Sequence, residues 1–103
     1  MPIFLLNSRH SPKNCPRFNE KARKTHLDIV ANSEELLNKY GVKVVGGWVV
    51  PSEHLWFVVY EAPSFEAFQK LGTLVAQLAA YDTTEVKLAV NLLERIQMLK
   101  QIE

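Results

Sequence analysis

The chain has a single cysteine, Cys15, among its 103 residues. One cysteine excludes an internal disulfide framework and is typical of a reducing compartment. No apolar run approaches the roughly 20 residues of a membrane-spanning helix, and the first ten residues lack the basic start and cleavage site of a secretory signal. The net charge is only +1, with both signs interspersed. We therefore predict a cytoplasmic protein that has neither nucleic acid nor membrane as a partner.

The clearest structural signal is a hairpin between Val42 and Glu61. Two runs of β-branched and aromatic residues, Val42–Val50 and Leu55–Tyr60, are separated by the turn residues Pro51–His54. Both faces of both runs are apolar; in the first run, strict alternation predicts one shared face for Val42, Val44, Trp48 and Val50. A sheet with one wet face would alternate apolar with polar residues, so this hairpin must be covered on both sides. The pair Gly46-Gly47 predicts a bulge or sharp bend in the first strand.

Local signals on either side of the hairpin place the other elements. Before the hairpin we predict a strand at Ile3–Arg9 and a long helix from about Arg17 to Tyr40, with Asn14 as its N-cap. After the hairpin we predict a helix capped by Ser64 that reaches about Ala80 and a strand at Glu85–Val90. A terminal helix capped by Asn91 then reaches about Gln101. Gly41 is expected to end the long helix in a left-handed conformation. The terminal helix should bury Leu92, Leu93, Ile96 and Leu99, either against its own barrel or against a neighbouring subunit. Gly72 suggests a close approach of the second helix to the sheet, although a helix can also simply tolerate a glycine.

This order predicts one α+β domain, 1–103, with a ferredoxin-like βαββαβ core over 1–90 and a C-terminal helix over 91–101. Right-handed crossovers put both long helices on one face of a four-stranded antiparallel sheet. The other face stays bare and apolar, which is typical of an association surface. We predict a homodimer through that face, which permits a higher oligomer. The first and third strands are expected to be central, adjacent and parallel.

The chain resembles the dimeric α/β-barrel superfamily, in which two ferredoxin-like subunits pack their sheets together. Within it, the likeness is greatest to the small uncharacterised proteins of the DUF3303 and GYD groups. The residues that carry it are Arg9-His10-Ser11-Pro12, Gly46-Gly47-Trp48 and Tyr60-Glu61-Ala62-Pro63-Ser64. The resemblance covers Met1 to Val90. It implies a paired barrel, while the superfamily includes cofactor-free oxygenases, haem enzymes, isomerases and proteins without known activity.

Candidate chemistry follows from the expected strand directions. Parallel first and third strands would bring His10, Cys15 and Glu61 together at one end, with His54 at the opposite end. His26 should face the sheet from the long helix. The set His10, Cys15 and His26 offers nitrogen and sulfur ligands for a transition metal such as zinc, iron or copper, although the spacing matches no strong metal motif. The alternative is a core histidine that bonds to Tyr60, a serine or a carbonyl.

Two further interpretations concern a thiol and a cavity. Cys15 in the first turn of a helix, between Lys13 and Arg17, is placed where a thiol becomes reactive, with His10 as its base; the alternative is an ordinary small residue. An apolar cavity between the first helix and the sheet is predicted to bind a ligand; its candidate lining residues are Phe4, Trp48, Tyr60, Glu61 and His26. The aromatic residues are equally expected as filling of the core and the dimer.

The leading functional hypothesis is a small-molecule enzyme of the oxygenase or isomerase type. His26 would act as an acid/base or ligand, with His10 and Cys15 at the mouth of the site. The second hypothesis is a non-catalytic metal- or ligand-binding module that uses the same residues. The third is a structural interaction protein. The sequence names no substrate, and a transition metal is the only cofactor that it suggests.

Overall fold

The computed structural model describes residues 1–103 and confirms the predicted order of elements. These are β1 (Ile3–His10), α1 (Glu20–Tyr40), β2 (Lys43–Val50), β3 (Leu55–Glu61), α2 (Phe65–Gln69), α3 (Gly72–Leu78), β4 (Asp82–Ala89) and α4 (Leu92–Ile102). Single-turn 3-10 helices at Pro12–Asn14 and Pro51–Glu53 follow β1 and β2. None of the helices combines the length and apolar character that crossing a membrane requires.

The four strands form one sheet in the order β2-β3-β1-β4, and every neighbouring pair is antiparallel. The ferredoxin-like prediction is therefore confirmed, including the central position of β1 and β3. The prediction that these two strands are parallel is wrong. The α1 crossover returns β2 in the direction of β1, and the tight turn after β2 then reverses β3. Ile3 consequently pairs with Glu61, and Arg9 pairs with Leu55.

The first helix begins later than predicted. Asn19 is its N-cap, and the Asn19 side chain accepts a hydrogen bond from the Ala22 N–H at 2.9 Å. Asn14, the predicted cap, instead donates its side-chain amide to the Tyr81 carbonyl at 3.3 Å. Cys15 lies in the irregular segment before α1, so its predicted place in a first helical turn is wrong. The helix ends as predicted, at Gly41 with φ of 69°.

The predicted second helix is divided in two. The Ser64 side chain caps α2 as expected, accepting from the Ala67 N–H at 3.1 Å, but the helical path breaks before α3. After the break Leu74 is buried with Leu71 and Leu78. No atom lies within 4 Å of where a Cβ on Gly72 would stand. The expected close approach of Gly72 to the sheet is therefore wrong, and this glycine is simply tolerated.

A bulge in β2 decides which way its side chains point. The pairing with β3 shifts between Val44 and Gly46, which leaves Val45 as an extra residue and confirms the predicted irregularity. Val44 pairs with Tyr60 and Trp48 pairs with Phe57, so Val44 and Trp48 lie on opposite faces and the predicted shared face is wrong. A Cβ on Gly46 would stand 2.7 Å from the Trp48 ring, so glycine makes room for the indole.

The hydrophobic core occupies one end of the helix-covered face. It consists of Phe4, Val42, Ala62, Phe68 and Leu71, against which Leu36, Leu37, Tyr40 and Tyr60 pack. The last turns of α1 thus lie on the core. The first turns of α1 extend over the other end of the sheet. Along the helix-covered face of β1, the apolar residues Phe4 and Leu6 are followed at this end by the polar residues Ser8 and His10. That end holds the candidate site.

Much apolar surface remains uncovered in a single chain. Only 11 of 103 residues are buried, and the accessible surface is 7406 Å², about 1,500 Å² more than the roughly 5,900 Å² typical of a compact monomer of this mass. Every residue of α4 is exposed. Leu92, Leu93, Ile96 and Leu99 are exposed in the single chain, so α4 does not bury its apolar side against its own subunit, and the alternative that it reaches onto a neighbour stays a prediction.

Candidate functional site

A cavity of about 640 Å³ opens at the end of the sheet away from the core. We call it the larger cavity. Its walls are mostly aliphatic and aromatic, and they include Ile29, Val30, Trp48, Val49, Phe57 and Val58. Five polar or charged side chains line it as well: His10, Cys15, Arg17, His26 and His54. The cavity therefore combines apolar walls with a small group of residues that can hold a proton or a ligand.

The antiparallel pairing of β1 with β3 brings His10 and His54 together. The His10 backbone N–H donates to the His54 carbonyl at 3.1 Å, and the two imidazole rings lie 5.4 Å apart at 71°. Cys15 completes the group, since one side-chain donor atom from each of the three residues lies within 4.8 Å of the others. The predicted placement of His54 at the opposite end is wrong; Glu61 lies there instead.

A buried carboxylate stands behind these residues. The Asp82 side chain is fully buried, and its Oδ2 atom accepts hydrogen bonds from Ser8 Oγ at 2.6 Å and from Trp56 Nε1 at 3.2 Å. His26 Nε2 lies 3.5 Å from the same oxygen, and His10 Nδ1 lies 3.8 Å from it. Burial opposes the charge, but His26 and Ser8 outweigh it and hold the pKa of Asp82 below its ordinary 3.8.

His26 is held on both sides of its ring. Nδ1 lies 2.7 Å from the Ala22 carbonyl, which can only accept, so Nδ1 carries a proton and donates it. Nε2 faces the Asp82 carboxylate, which favours a proton there as well. This neighbour raises the pKa of His26 above 6.5, against the opposing effect of burial. At 3.5 Å the contact is an ion pair rather than a well-formed hydrogen bond.

His10 is in the opposite electrostatic situation. Its side chain is 7% exposed, and neither ring nitrogen has a hydrogen-bond partner. Burial lowers the pKa of His10 below 6.5; Asp82 opposes that effect, and His54 and His26 add to it. The site therefore places a neutral imidazole with free nitrogens beside the larger cavity.

The remaining predicted ligand-binding residues are divided between two places. Trp48 lines the larger cavity. Phe4 lies in the core, where its ring stacks on Phe68 at 4.7 Å. Tyr60 lines a smaller apolar cavity of about 140 Å³ between α1 and the sheet, and burial raises its pKa. Glu61 ends β3 opposite Ile3, at the far end of the sheet from His10.

Sequence reasoning missed the residues that organise the site. Asp82 lies before the predicted strand Glu85–Val90, but in the structure it begins β4 and pairs with His10 across the strands. A signal was present in β1, where Phe4, Leu6, Ser8 and His10 alternate on one buried face. A serine and a histidine at buried positions of an otherwise apolar face require polar partners, and these come from Asp82 and Trp56.

Comparisons with known proteins place the chain by its fold. No protein-family model matches it, and no curated protein matches it. Among solved structures, an antibiotic biosynthesis monooxygenase superposes with a TM-score of 0.61 at 12% identity, over 89% of this chain and 99% of the other. A protein from Agrobacterium tumefaciens superposes with a TM-score of 0.53 at 12% identity, over 87% and 92%. At these identities the likeness shows a common fold alone.

We predict that Asp82→Asn lowers the free energy of unfolding by about 2–4 kcal/mol, because it leaves a buried imidazolium without its counter-charge. Urea unfolding followed by circular dichroism measures the change. Asp28→Asn is the matched control, since Asp28 is exposed on α1 and should change stability by less than about 0.5 kcal/mol. Equal effects of the two substitutions would contradict the role given to Asp82.

We predict that His26 makes the folded state less stable as the pH rises. A raised folded-state pKa stabilises the protein fully below the unfolded value of 6.5, and this stabilisation disappears as the pH rises through the folded pKa. The free energy of unfolding is measured against pH for the wild type and for His26→Gln, and the difference between the two profiles isolates the effect of His26. Asp82 and His10, the charged or titratable neighbours from β4 and β1, are common to both proteins. Parallel profiles between pH 6 and pH 9, roughly, would refute the raised pKa.

Proposed function

We propose that the larger cavity binds a small, mostly apolar molecule whose polar group lies against His10, and that the protein is an enzyme of the oxygenase or isomerase type. One observation carries the proposal: an apolar cavity of about 640 Å³ ends on an imidazole whose two nitrogens have no protein partner. Apolar walls with a few convergent polar groups are the usual form of a small-molecule site.

The roles of the two cavity histidines follow from their contacts. Asp82 lies 3.8 Å from His10 Nδ1, too far for a hydrogen bond, but its charge favours a proton on that nitrogen. Nε2 is then the nitrogen that can accept a hydrogen bond or a proton from the bound molecule. Both nitrogens of His26 face protein groups. We therefore assign His10 as the acid/base group and His26 as a positioning residue for Asp82. Removal of a proton next to a carbonyl is a step that oxygenases without cofactors and isomerases can share.

The fold supports this proposal by analogy. The antibiotic biosynthesis monooxygenase that superposes on this chain has the same architecture, which accommodates many activities. The closer likeness to the DUF3303 and GYD groups stays a prediction. A non-catalytic binding protein would use the same cavity without turnover, and oxygen uptake or solvent-deuterium incorporation into the bound molecule separates the two.

We expect the protein to bind 1-naphthol, an apolar molecule with one hydroxyl group, more tightly than naphthalene. His10→Phe keeps a planar ring and removes both nitrogens. It should weaken the binding of 1-naphthol by about three- to tenfold, the value of one hydrogen bond, and leave the affinity for naphthalene unchanged. Tryptophan fluorescence measures both affinities, because Trp56 lines the cavity on the helix-covered face of the sheet.

A second variant tests the apolar walls. Val30→Trp should weaken the binding of both compounds by at least about tenfold, because the indole fills part of the cavity that Val30 lines. Ala31→Trp, at the next exposed position of α1, is the matched control and should change neither affinity. If 1-naphthol binds all variants equally, it binds elsewhere and the proposed site is wrong.

We also propose a homodimer, on the basis of the uncovered surface. The excess of about 1,500 Å² over a compact monomer exceeds the roughly 800 Å² that each partner contributes to a stable interface. Trp48 and Phe57 stack on the face of the sheet away from the helices, and the apolar residues of α4 are exposed. A second copy of the chain would bury both the bare face of the sheet and the apolar side of α4.

The assembly test uses α4, none of whose residues is buried in a single chain. Leu93→Glu introduces a charge at an apolar position that is 71% exposed, and we expect it to weaken dimerisation by at least about tenfold without unfolding the chain. Gln97→Glu adds the same charge on the same helix as a control. Sedimentation velocity measures the dimer in both variants. A monomeric wild-type protein would overturn the proposal directly.

A further inference from the structure

Three side chains that can bind a metal meet at the polar end of the larger cavity. His10 ends β1, Cys15 follows the first 3-10 turn, and His54 precedes β3, so three separate segments supply them. One donor atom from each lies within 4.8 Å of the others. The backbone hydrogen bond from His10 to His54 fixes two of the three segments relative to each other. The fold brings the three residues together, and no local sequence motif contains them.

The buried nitrogens of His10 need partners that the protein does not supply. A buried polar group without a hydrogen bond destabilises the folded state, and neither His10 nitrogen has one although the side chain is only 7% exposed. Asp82 lies 3.8 Å from Nδ1. Metal-binding histidines commonly turn one nitrogen toward a carboxylate and coordinate through the other. This arrangement leaves His10 Nε2 for a metal.

We propose that His10, Cys15 and His54 bind a transition-metal ion, with zinc as the ion that fits them best. Zinc takes imidazole and thiolate ligands together in sites with three protein ligands and one open position, whereas copper uses two imidazoles and one thiolate with a weak axial ligand. Donor atoms around tetrahedral zinc lie about 3.3–3.8 Å apart, given bonds of about 2.0–2.3 Å. The present separations of up to 4.8 Å require a contraction of about 1 Å, which the irregular segment around Cys15 can supply.

This site differs from the predicted set of His10, Cys15 and His26. His26 is excluded because Nδ1 bonds to the Ala22 carbonyl and Nε2 faces Asp82. His54 takes its place because β3 runs antiparallel to β1. All three ligands line the larger cavity, so the open position of the metal would face a bound molecule. The inference deepens the proposed function by replacing His10 with the metal as the group that contacts the ligand, but metal binding itself requires no ligand.

The test uses the full chain, stripped of metal with a chelator and titrated with Zn²⁺ in a calorimeter and with Co²⁺ in a spectrophotometer. We expect one ion per chain and a cobalt–thiolate charge-transfer absorption, which requires Cys15 as a ligand. Cys15→Ser and His54→Asn should each weaken zinc binding by about 100-fold or more. Asparagine suits position 54 because His54 has a φ of 50°, a conformation that asparagine tolerates. Circular dichroism checks that each variant is folded.

Two further variants make the test specific. Glu61→Gln, at the opposite end of the sheet, should leave the zinc affinity unchanged. Asp82→Asn should weaken it by about tenfold and preserve the cobalt spectrum, as expected of a residue that only orients a ligand. An unchanged affinity in both Cys15→Ser and His54→Asn would overturn the site. A loss of zinc affinity in His26→Asn with no loss in His54→Asn would also overturn the site, in favour of the predicted set of His10, Cys15 and His26.

The two proposals fail in different experiments. Binding of 1-naphthol to the metal-free protein tests the cavity, and the zinc titration contains no organic compound. If zinc does not bind while 1-naphthol does, the metal site is refuted and the proposed function stands. If zinc binds with the expected losses while 1-naphthol does not, the metal site is supported and the proposed function is refuted.

Discussion

The buried carboxylate of Asp82 is the contact on which half of this fold depends. One of its oxygens accepts from Ser8 on β1 and Trp56 on β3 and faces His26 on α1, so four elements converge on a single atom. A charge can be buried only where donors and counter-charges surround it. The sheet therefore has two different ends: an apolar core at Phe4 holds one end together, and an ionic network at Asp82 holds the other.

The polar end contains all three histidines and the one cysteine of the chain. The network occupies His26 and leaves His10 with free nitrogens, and the antiparallel strands then place His54 and Cys15 beside it. The same carboxylate thus stabilises the fold and lies 3.8 Å from a histidine that lines the cavity. If His10 has the proposed role, a change that relaxes the network would alter stability and function together.

The sequence predicted what depends on near neighbours. The caps at Ser64 and Asn91, the left-handed end at Gly41 and the bulge near Gly46 each follow from a few adjacent residues. It did not predict contacts set by the whole chain. Ser8 and Asp82 are 74 positions apart, so no local pattern joins them. The wrong direction of β3 relative to β1 moved His54 to the wrong end, and Glu61 took its place in the predicted site.

The shallow burial of the single chain has a consequence for how the protein survives in a cell. With only 11 residues buried, one chain gains little hydrophobic free energy to offset the entropy of folding. Partners that bind only the folded form raise its melting temperature by mass action. In the proposed homodimer, folding would then be coupled to abundance: a newly made chain would be most vulnerable to proteolysis while copies are scarce, and each further copy would protect those already present.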